Sequence, residues 1–234
     1  MPNLTIFRYA IMRSIKSPMT IILNSLVPLV LTIFENHLTA PMIAGRTHFL
    51  IAFTVLFGAF LMAGSIQKDK TDGVVIRILA GPVTLRSYLV QNFLAAIVPM
   101  IVVSATVGIL GVAIHSWDVT VAVGLVLVLI LLSATSIGIS FAWSCIFKDK
   151  EASMSGISLL LTLSAMLGGL MMPLEFLPDA LFYLGAITPA HWAARSLQEL
   201  MNYSSLTNMY WLGLLAMAMF ATAFVLYGSK RRLV

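Results

Sequence analysis

The stretch at residues 120–146 reads TVAVGLVLVLILLSATSIGISFAWSCI and contains no charged side chain. An apolar run of about 18 residues or more can cross a ~30 Å hydrocarbon core as an α-helix. Inside lipid the backbone must satisfy its own hydrogen bonds, as it does in a helix or a closed barrel. Because the run is continuous rather than built of short alternating segments, it predicts a membrane-spanning helix.

The rest of the chain has the same character. Hydrophobic residues make up 60% of the 234 positions, charged residues only 10%, and the mean hydropathy is +0.99. Soluble domains carry roughly a quarter charged residues, so the composition predicts an all-α integral membrane protein with one transmembrane domain over residues 1–234. Its six predicted spans cover about 19–34, 49–66, 92–114, 120–146, 154–172 and 210–228.

Basic residues predict the orientation of these spans. With both termini and the loops at 67–91 and 147–153 in the cytoplasm, only Arg46 and Arg195 of the 14 Lys and Arg residues lie outside. Loops on the cytoplasmic side are enriched in Lys and Arg, so both termini are expected there. Membrane orientation and anionic lipid account for the net charge of +5, and no nucleic-acid partner is expected. A cleaved signal peptide at the first span is disfavoured, because its best exit site runs into Pro41.

The sequence lacks the residues that several classes of function require. None of the six predicted spans contains Asp, Glu, Lys, Arg or His, whereas ion-coupled carriers place ionisable groups at membrane depth. The chain has no GxxxxGK[ST] phosphate loop and no filter-like loop, and the single Cys145 can form no disulfide within the chain. The four histidines fall outside the spans at spacings that match no metal site: His37, His48, His115 and His191. If the protein does work, its energy is expected to come from another polypeptide.

Three segments depart from a plain six-span bundle, and the first is the N-terminal stretch LTIFRYAIMRSIK at 4–16. Its apolar and basic side chains fall on different sides of a helical wheel: Leu4, Phe7, Ile11 and Ile15 on one, Arg8, Arg13 and Lys16 on the other. The pattern predicts an amphipathic helix at the inner membrane surface that ends before Pro18. It serves either as a lipid anchor alone or also in assembly.

The second segment is QKDKTDGVVIRILAGPVTLRSY at 67–88. Asp72 and Gly73 predict a turn or helix start, and Gly81-Pro82 predicts a stop, so a helix of one or two turns lies between them. Such a helix is too short to span a membrane, yet it is apolar on one side. Lipid, the chain itself or the groove of a partner must cover that side.

The third segment, residues 173–209, is unusually apolar for an outer loop. Its apolar run at 174–187 is too short to cross, and Pro173, Pro178 and Pro189 interrupt the segment. Asp179 is placed to cap one short helix, and 190–201 predicts a second. We therefore expect a hairpin that enters the outer leaflet and returns.

In this order, the three segments resemble the transmembrane subunits of type-2 ATP-binding-cassette (ABC) exporters over essentially the whole chain. In TDGVVIRILAGPVTLRSYL the family pattern falls on Asp72, Gly73, Leu79, Pro82 and Arg86. This chain has Thr-Asp-Gly-Val where the family more often has Glu-Arg-Gly-Thr, which leaves the register of the short helix open. MPLEFLPDALFYLGAITPAHWAARSLQEL resembles the family's re-entrant outer hairpin.

The resemblance implies a non-catalytic permease that works with ABC ATPase subunits, which would bind the ATP and Mg²⁺, and with a second copy of itself or a homologous permease. The 67–91 region would hold the coupling helix that contacts the ATPase, and the second and fifth spans would flank the translocation path. The implied coupling residues are Asp72, Gly73, Val74, Arg77, Ile78 and Leu79, with Arg8 and Arg13. The implied path residues are Phe53, Phe57, Phe60, Leu163, Met166 and Leu170.

The expected function is ATP-driven export of a hydrophobic or amphipathic drug, lipid-like molecule or antimicrobial peptide across the plasma membrane of a bacterial or archaeal cell. Two other classes stay open: a membrane scaffold or immunity-type protein that moves nothing, and a stand-alone channel. Copurification of an ATPase separates the exporter from both.

Overall fold

The computed structural model describes residues 5–16, 22–37, 46–81, 83–147, 149–203 and 206–230. The predicted positions Leu4, Pro18 and Pro82 and the start of the span at 19–34 lie outside these ranges. Within them the secondary structure is helical and contains no strand, which confirms the all-α prediction. The helices are α1 Thr5–Lys16, α2 Val27–Ile33, α3 Thr47–Thr71, α4 Val74–Leu79, α5 Leu85–His115, α6 Val119–Ser144, α7 Lys150–Leu167, α8 Asp179–Gly185, α9 Pro189–Tyr203 and α10 Asn208–Lys230.

Three of the described helical stretches are long and apolar enough to cross a membrane: Ser87–His115, Val119–Ser144 and Asn208–Gly228. The other three predicted spans coincide with shorter apolar stretches, Asn24–Ile33, Thr47–Leu61 and Glu151–Leu167. A π-helical turn, Ile22–Leu26, leads into α2. The structure therefore defines a helical protein with three candidate spans, and the six-span topology stays a prediction.

Two helix ends differ from the predicted bounds of the spans. The fifth span was expected to reach residue 172, whereas α7 ends at Leu167, before Gly169 with its left-handed φ of 92°. The second span was expected to end at residue 66, whereas α3 continues to Thr71. Helix α5 begins at Leu85, where the chain was expected to turn back toward the third span.

Polar side chains fix where several helices begin. Thr84 accepts a hydrogen bond from the backbone N–H of Ser87 at the start of α5. Asp118 does the same for Thr120 at α6, and Asp149 for Ala152 at α7. These caps satisfy N–H groups that have no partner inside the helix.

The core is built around α6, of which 72% is buried in its most apolar window, against 44% for α5 and 28% for α10. Hydroxyl groups tie α6 to its neighbours: Ser136 donates to the Leu56 carbonyl of α3 at 2.7 Å, and Thr135 donates to the Met217 carbonyl of α10 at 3.1 Å. A buried hydroxyl without a partner costs free energy, so these bonds favour one arrangement of the three helices.

Helix α4 and the turn at 145–147 lie at one end of this bundle, with α1 beside them; we call it the α4 end. The outer hairpin, α8 and α9, lies at the opposite end, which we call the hairpin end. The sequence predicts that the α4 end is cytoplasmic.

Candidate functional site

Helix α4 follows α3 after a two-residue turn. Gly73 in that turn has φ 66°, a left-handed conformation that glycine adopts without steric cost. A Cβ at Gly73 would meet no atom within 4 Å, so the backbone conformation and not crowding favours glycine there. The Asp72 N–H donates to the Lys68 carbonyl at 2.9 Å and closes the last turn of α3. The turn therefore sets the direction in which α4 leaves the bundle.

The two sides of α4 have different surroundings. Val75 is 1% exposed and belongs to an apolar cluster with Tyr88 and Leu89, whereas Ile76 is 57% exposed. The predicted residues Ile78 and Leu79 are half-buried against the same cluster. One side of α4 is thus anchored to α5, and the other presents an isolated isoleucine to solvent.

Charged groups surround the exposed isoleucine. Arg77 turns back over the start of α4, where its Nη2 donates to the Asp72 carbonyl at 3.0 Å and its Nε to the Gly73 carbonyl at 3.4 Å. Asp72 itself is exposed. The exposed side of α4 therefore combines Ile76 with one basic and one acidic side chain.

Asp69, near the end of α3, joins three helices. The Arg13 guanidinium of α1 donates to its Oδ1 and forms an ion pair with it. The Tyr88 hydroxyl of α5 donates to its Oδ2 at 2.7 Å. Because Asp69 is only 7% exposed, these two partners take the place of water in stabilising its carboxylate. We call Arg13, Asp69 and Tyr88 the Asp69 clamp.

Further contacts hold the same end together. The Phe7 N–H of α1 donates to Gln91 Oε1 of α5 at 3.3 Å. Lys70 Nζ donates to the Ser144 and Phe147 carbonyls at 2.9 and 3.0 Å, which joins the end of α3 to the end of α6. Through these bonds a displacement of the α3–α4 turn would reach α1, α5 and α6.

A cavity of about 470 Å³ lies between α1 and α4, beside the clamp. Its walls are apolar on both helices and polar at the clamp: Ile6, Tyr9, Ala10, Val74 and Ile78 on the helices, with Arg13, Asp69, Tyr88 and Asn92 at the clamp. The cavity leaves room at this end for a side chain from another protein.

The sequence reasoning found part of this site. It singled out Arg13, which pairs with Asp69, and Arg8, which is exposed. It passed over Asp69 and Tyr88, since a lone Asp between two lysines gives no sign of burial. The proximity of Asp69 to Arg13, 56 residues away, could not be read from spacing.

The predicted hairpin residues lie at the ends of short helical segments. Pro173 precedes the 3₁₀ turn Leu174–Phe176, Pro178 precedes α8, Asp179 is the first residue of α8, and Pro189 opens α9. His191 in α9 is 4% exposed, and its ring stands edge-on to Phe182 at 5.2 Å. Burial, and then the positive charge of Arg195, lower the pKa of His191. This ring contact joins α8 to α9 within the hairpin.

The six predicted path residues do not form one surface of this chain. Phe60 and Leu170 lie in the core, whereas Leu163 and Met166 are 48% and 44% exposed. Phe53 and Phe57 are half-buried, with ring centroids 4.9 Å apart. Their assignment to a path stays a prediction.

Among the residues that the structure describes, no three His, Cys, Asp or Glu side chains are placed to hold a metal ion. Three of the described helices are long and apolar enough to cross a membrane, and the short, partly exposed helix α4 lies at one end of the bundle. These features define a membrane protein of several spans. The chain belongs to the ABC-2 type transporter family, whose family model matches residues 3–202. No curated protein matches it. Membership makes the chain a membrane component of a transporter, in a family whose permeases work with ABC ATPase subunits.

Proposed function

We propose that the chain is the permease subunit of an ATP-driven exporter, with six spans and both termini in the cytoplasm. In this proposal α4 is the coupling helix, and its exposed side docks in a groove of the ABC ATPase. The observation that carries the proposal is the division of α4 into a buried side at Val75 and an exposed apolar side at Ile76. A groove on the ATPase would cover Ile76, because grooves of partner proteins bind the apolar side of helices.

The Asp69 clamp supports a mechanical role for α4. When ATP draws two ATPase subunits together, the paired α4 helices would move with them. The clamp and the Lys70 contacts join the α3–α4 turn to α1, α5 and α6. These helices would therefore move together when α4 moves. ATP and Mg²⁺ would be bound by the ATPase, and the second permease would be another copy of this chain or a homologue.

The proposed substrate is a hydrophobic or amphipathic molecule that leaves through the interface of two permeases. A cavity of about 890 Å³ between α6, α7, α10 and the hairpin supports this class, because apolar side chains dominate its walls. Leu163, a predicted path residue, is one of them. Phe53, Phe57 and Met166 are the further path candidates that lie at least partly at the surface.

Substitution Ile76→Asp tests the docking of α4. A charge forced into an apolar groove costs several kcal/mol unless it is paired, and each 1.4 kcal/mol lowers affinity about tenfold. We expect an affinity-tagged I76D chain to recover at least about tenfold less ABC ATPase from native membranes than the wild type does.

The matched control is Ala152→Asp, which adds the same charge at an exposed position in the first turn of α7 and should leave ATPase recovery unchanged. Equal recovery with I76D and the wild type would reject the docking of α4. If the wild-type chain recovers no ATPase and conducts solutes alone in liposomes, the chain is a channel and not an exporter subunit.

A further inference from the structure

At the hairpin end, the ends of three helices meet around one carboxylate. Glu35 follows α2, His48 lies in the first turn of α3, and His115 is the last residue of α5. Glu35 Oε1 is 3.6 Å from His48 Nδ1, and Glu35 Oε2 is 3.9 Å from His115 Nε2. We call these three side chains the Glu35 cluster. From the sequence, all four histidines were expected in outer loops or near the outer surface, at spacings that match no metal site.

The Glu35 cluster is incompletely bonded, with its imidazoles buried and its carboxylate partly buried. His48 is 7% exposed, and His115 Nε2 lies 2.6 Å from the Thr32 carbonyl of α2. Glu35 Oε2, His48 Nε2 and His115 Nδ1 are buried, and within the described part of the chain none has a hydrogen-bond partner. Buried polar atoms are normally paired, so three unpaired ones in a single cluster indicate a site that gains a bond in another state.

Trp117 separates the cluster from its surroundings. Its ring lies 4.5 Å from that of His48 and 6.1 Å from that of His115, measured between centroids. Behind this cover the two imidazoles and the carboxylate interact in a medium of lower polarity than water, which strengthens their electrostatic coupling.

The other charged or titratable side chains nearby either contact groups outside the Glu35 cluster or lie at the surface. Arg46 donates to the Gly169 carbonyl and lies 4.6 Å above the Phe49 ring, His37 is exposed, and Asp118 caps α6. Residues 38–45 read LTAPMIAG and include no titratable side chain. The charge of the cluster is therefore set by its own three members.

We propose that Glu35, His48 and His115 jointly bind one proton, so that the packing of α2 on α3 and α5 depends on the pH at the hairpin end. Without this proton the cluster buries one net negative charge. With it, the charge is neutralised, and an imidazolium N–H can bond the carboxylate. A second proton leaves a buried positive charge, which is again unfavourable.

The environment of Glu35 supports this order of protonation. Burial raises the pKa of Glu35, while the positive charge of His115 and the bond from Trp117 oppose the rise. Because the three groups are coupled, the proton belongs to the cluster and not to one residue. This proposal is independent of the ATPase, but its assignment to external pH rests on the topology proposed above.

The test measures the thermal stability of the purified chain in lipid nanodiscs between pH 4.5 and 9. The proposal requires that the folded cluster keep a proton at a pH at which the unfolded chain has lost it, so stability falls as the pH rises through that range. Burial lowers the pKa of His48 to about 4, so the unfolded chain binds more protons below the ordinary imidazole range and stability falls there too. Stability should therefore pass through a maximum, and one linked proton changes the unfolding constant by up to about tenfold per pH unit.

Glu35→Gln removes the negative charge, so the alkaline fall in stability should disappear. His37→Asn alters an exposed histidine of the same turn and should keep the wild-type profile. If E35Q does not fold, His115→Asn serves instead and should reduce the alkaline fall. Profiles of the cluster variants that match the wild type would overturn the proposal.

Vesicles that hold the protein in a single orientation test the proton site and the proposed membrane topology separately. We expect thiol labelling of Ile33→Cys in the folded protein to respond to pH at the hairpin side. A response to the compartment that holds α4 would reject the topology but retain the proton site. No response to either compartment would reject the site.

Discussion

Asp69 carries more of the proposed coupling than any residue that the sequence singled out. Its carboxylate accepts hydrogen bonds from Arg13 and Tyr88 while only 7% exposed. Hydrogen bonds to charged groups contribute about 1.5–3 kcal/mol. We expect Asp69→Asn to lower the stability of the detergent-solubilised chain by about that amount and to uncouple ATP hydrolysis from substrate stimulation in the assembled transporter.

A double-mutant cycle isolates the ion pair within this clamp. Asp69→Asn and Arg13→Gln should together cost clearly less than the sum of the single changes, because each removes the same interaction. Tyr88→Phe, which removes only the hydroxyl, should cost about 1.5–3 kcal/mol because that hydroxyl donates to a carboxylate, and it should leave the ion pair intact. Additive effects of D69N and R13Q would show that the two side chains do not act together.

At the scale of the element, α4 depends on the turn before it. Gly73 adopts φ 66°, which costs most other residues roughly 1–2 kcal/mol, although asparagine tolerates it better. Gly73→Ala should therefore reduce ATPase recovery and stability, and Gly73→Asn should reduce them less. Circular dichroism of the purified variants checks that the helical content is kept. An alanine variant equal to the asparagine variant would mean that the turn does not control α4.

The sequence predicted the existence of α4 but not which of its sides is buried. Asp72-Gly73 and Gly81-Pro82 are local signals, and local signals can be read without tertiary contacts. The burial of Val75 depends on Tyr88 and Leu89, which approach only when α5 packs against α4. Similarly, the left-handed φ of Gly169 at the end of α7 is visible only in the structure.

At the scale of the whole molecule, the proposed orientation follows from charge: Arg46 and Arg195 are the only Lys or Arg residues assigned outside. Cysteines at two exposed sites test it once Cys145 is replaced by serine. Ile76→Cys marks the α4 end and Tyr183→Cys the hairpin end, at positions 57% and 72% exposed. An impermeant maleimide should label position 183 in intact cells and position 76 only in inverted vesicles stripped of the ATPase, because a docked ATPase would cover position 76. Labelling of both from one side would mean that α4 and the hairpin share a compartment, and ATPase docking at α4 with outward release at the hairpin would then be impossible.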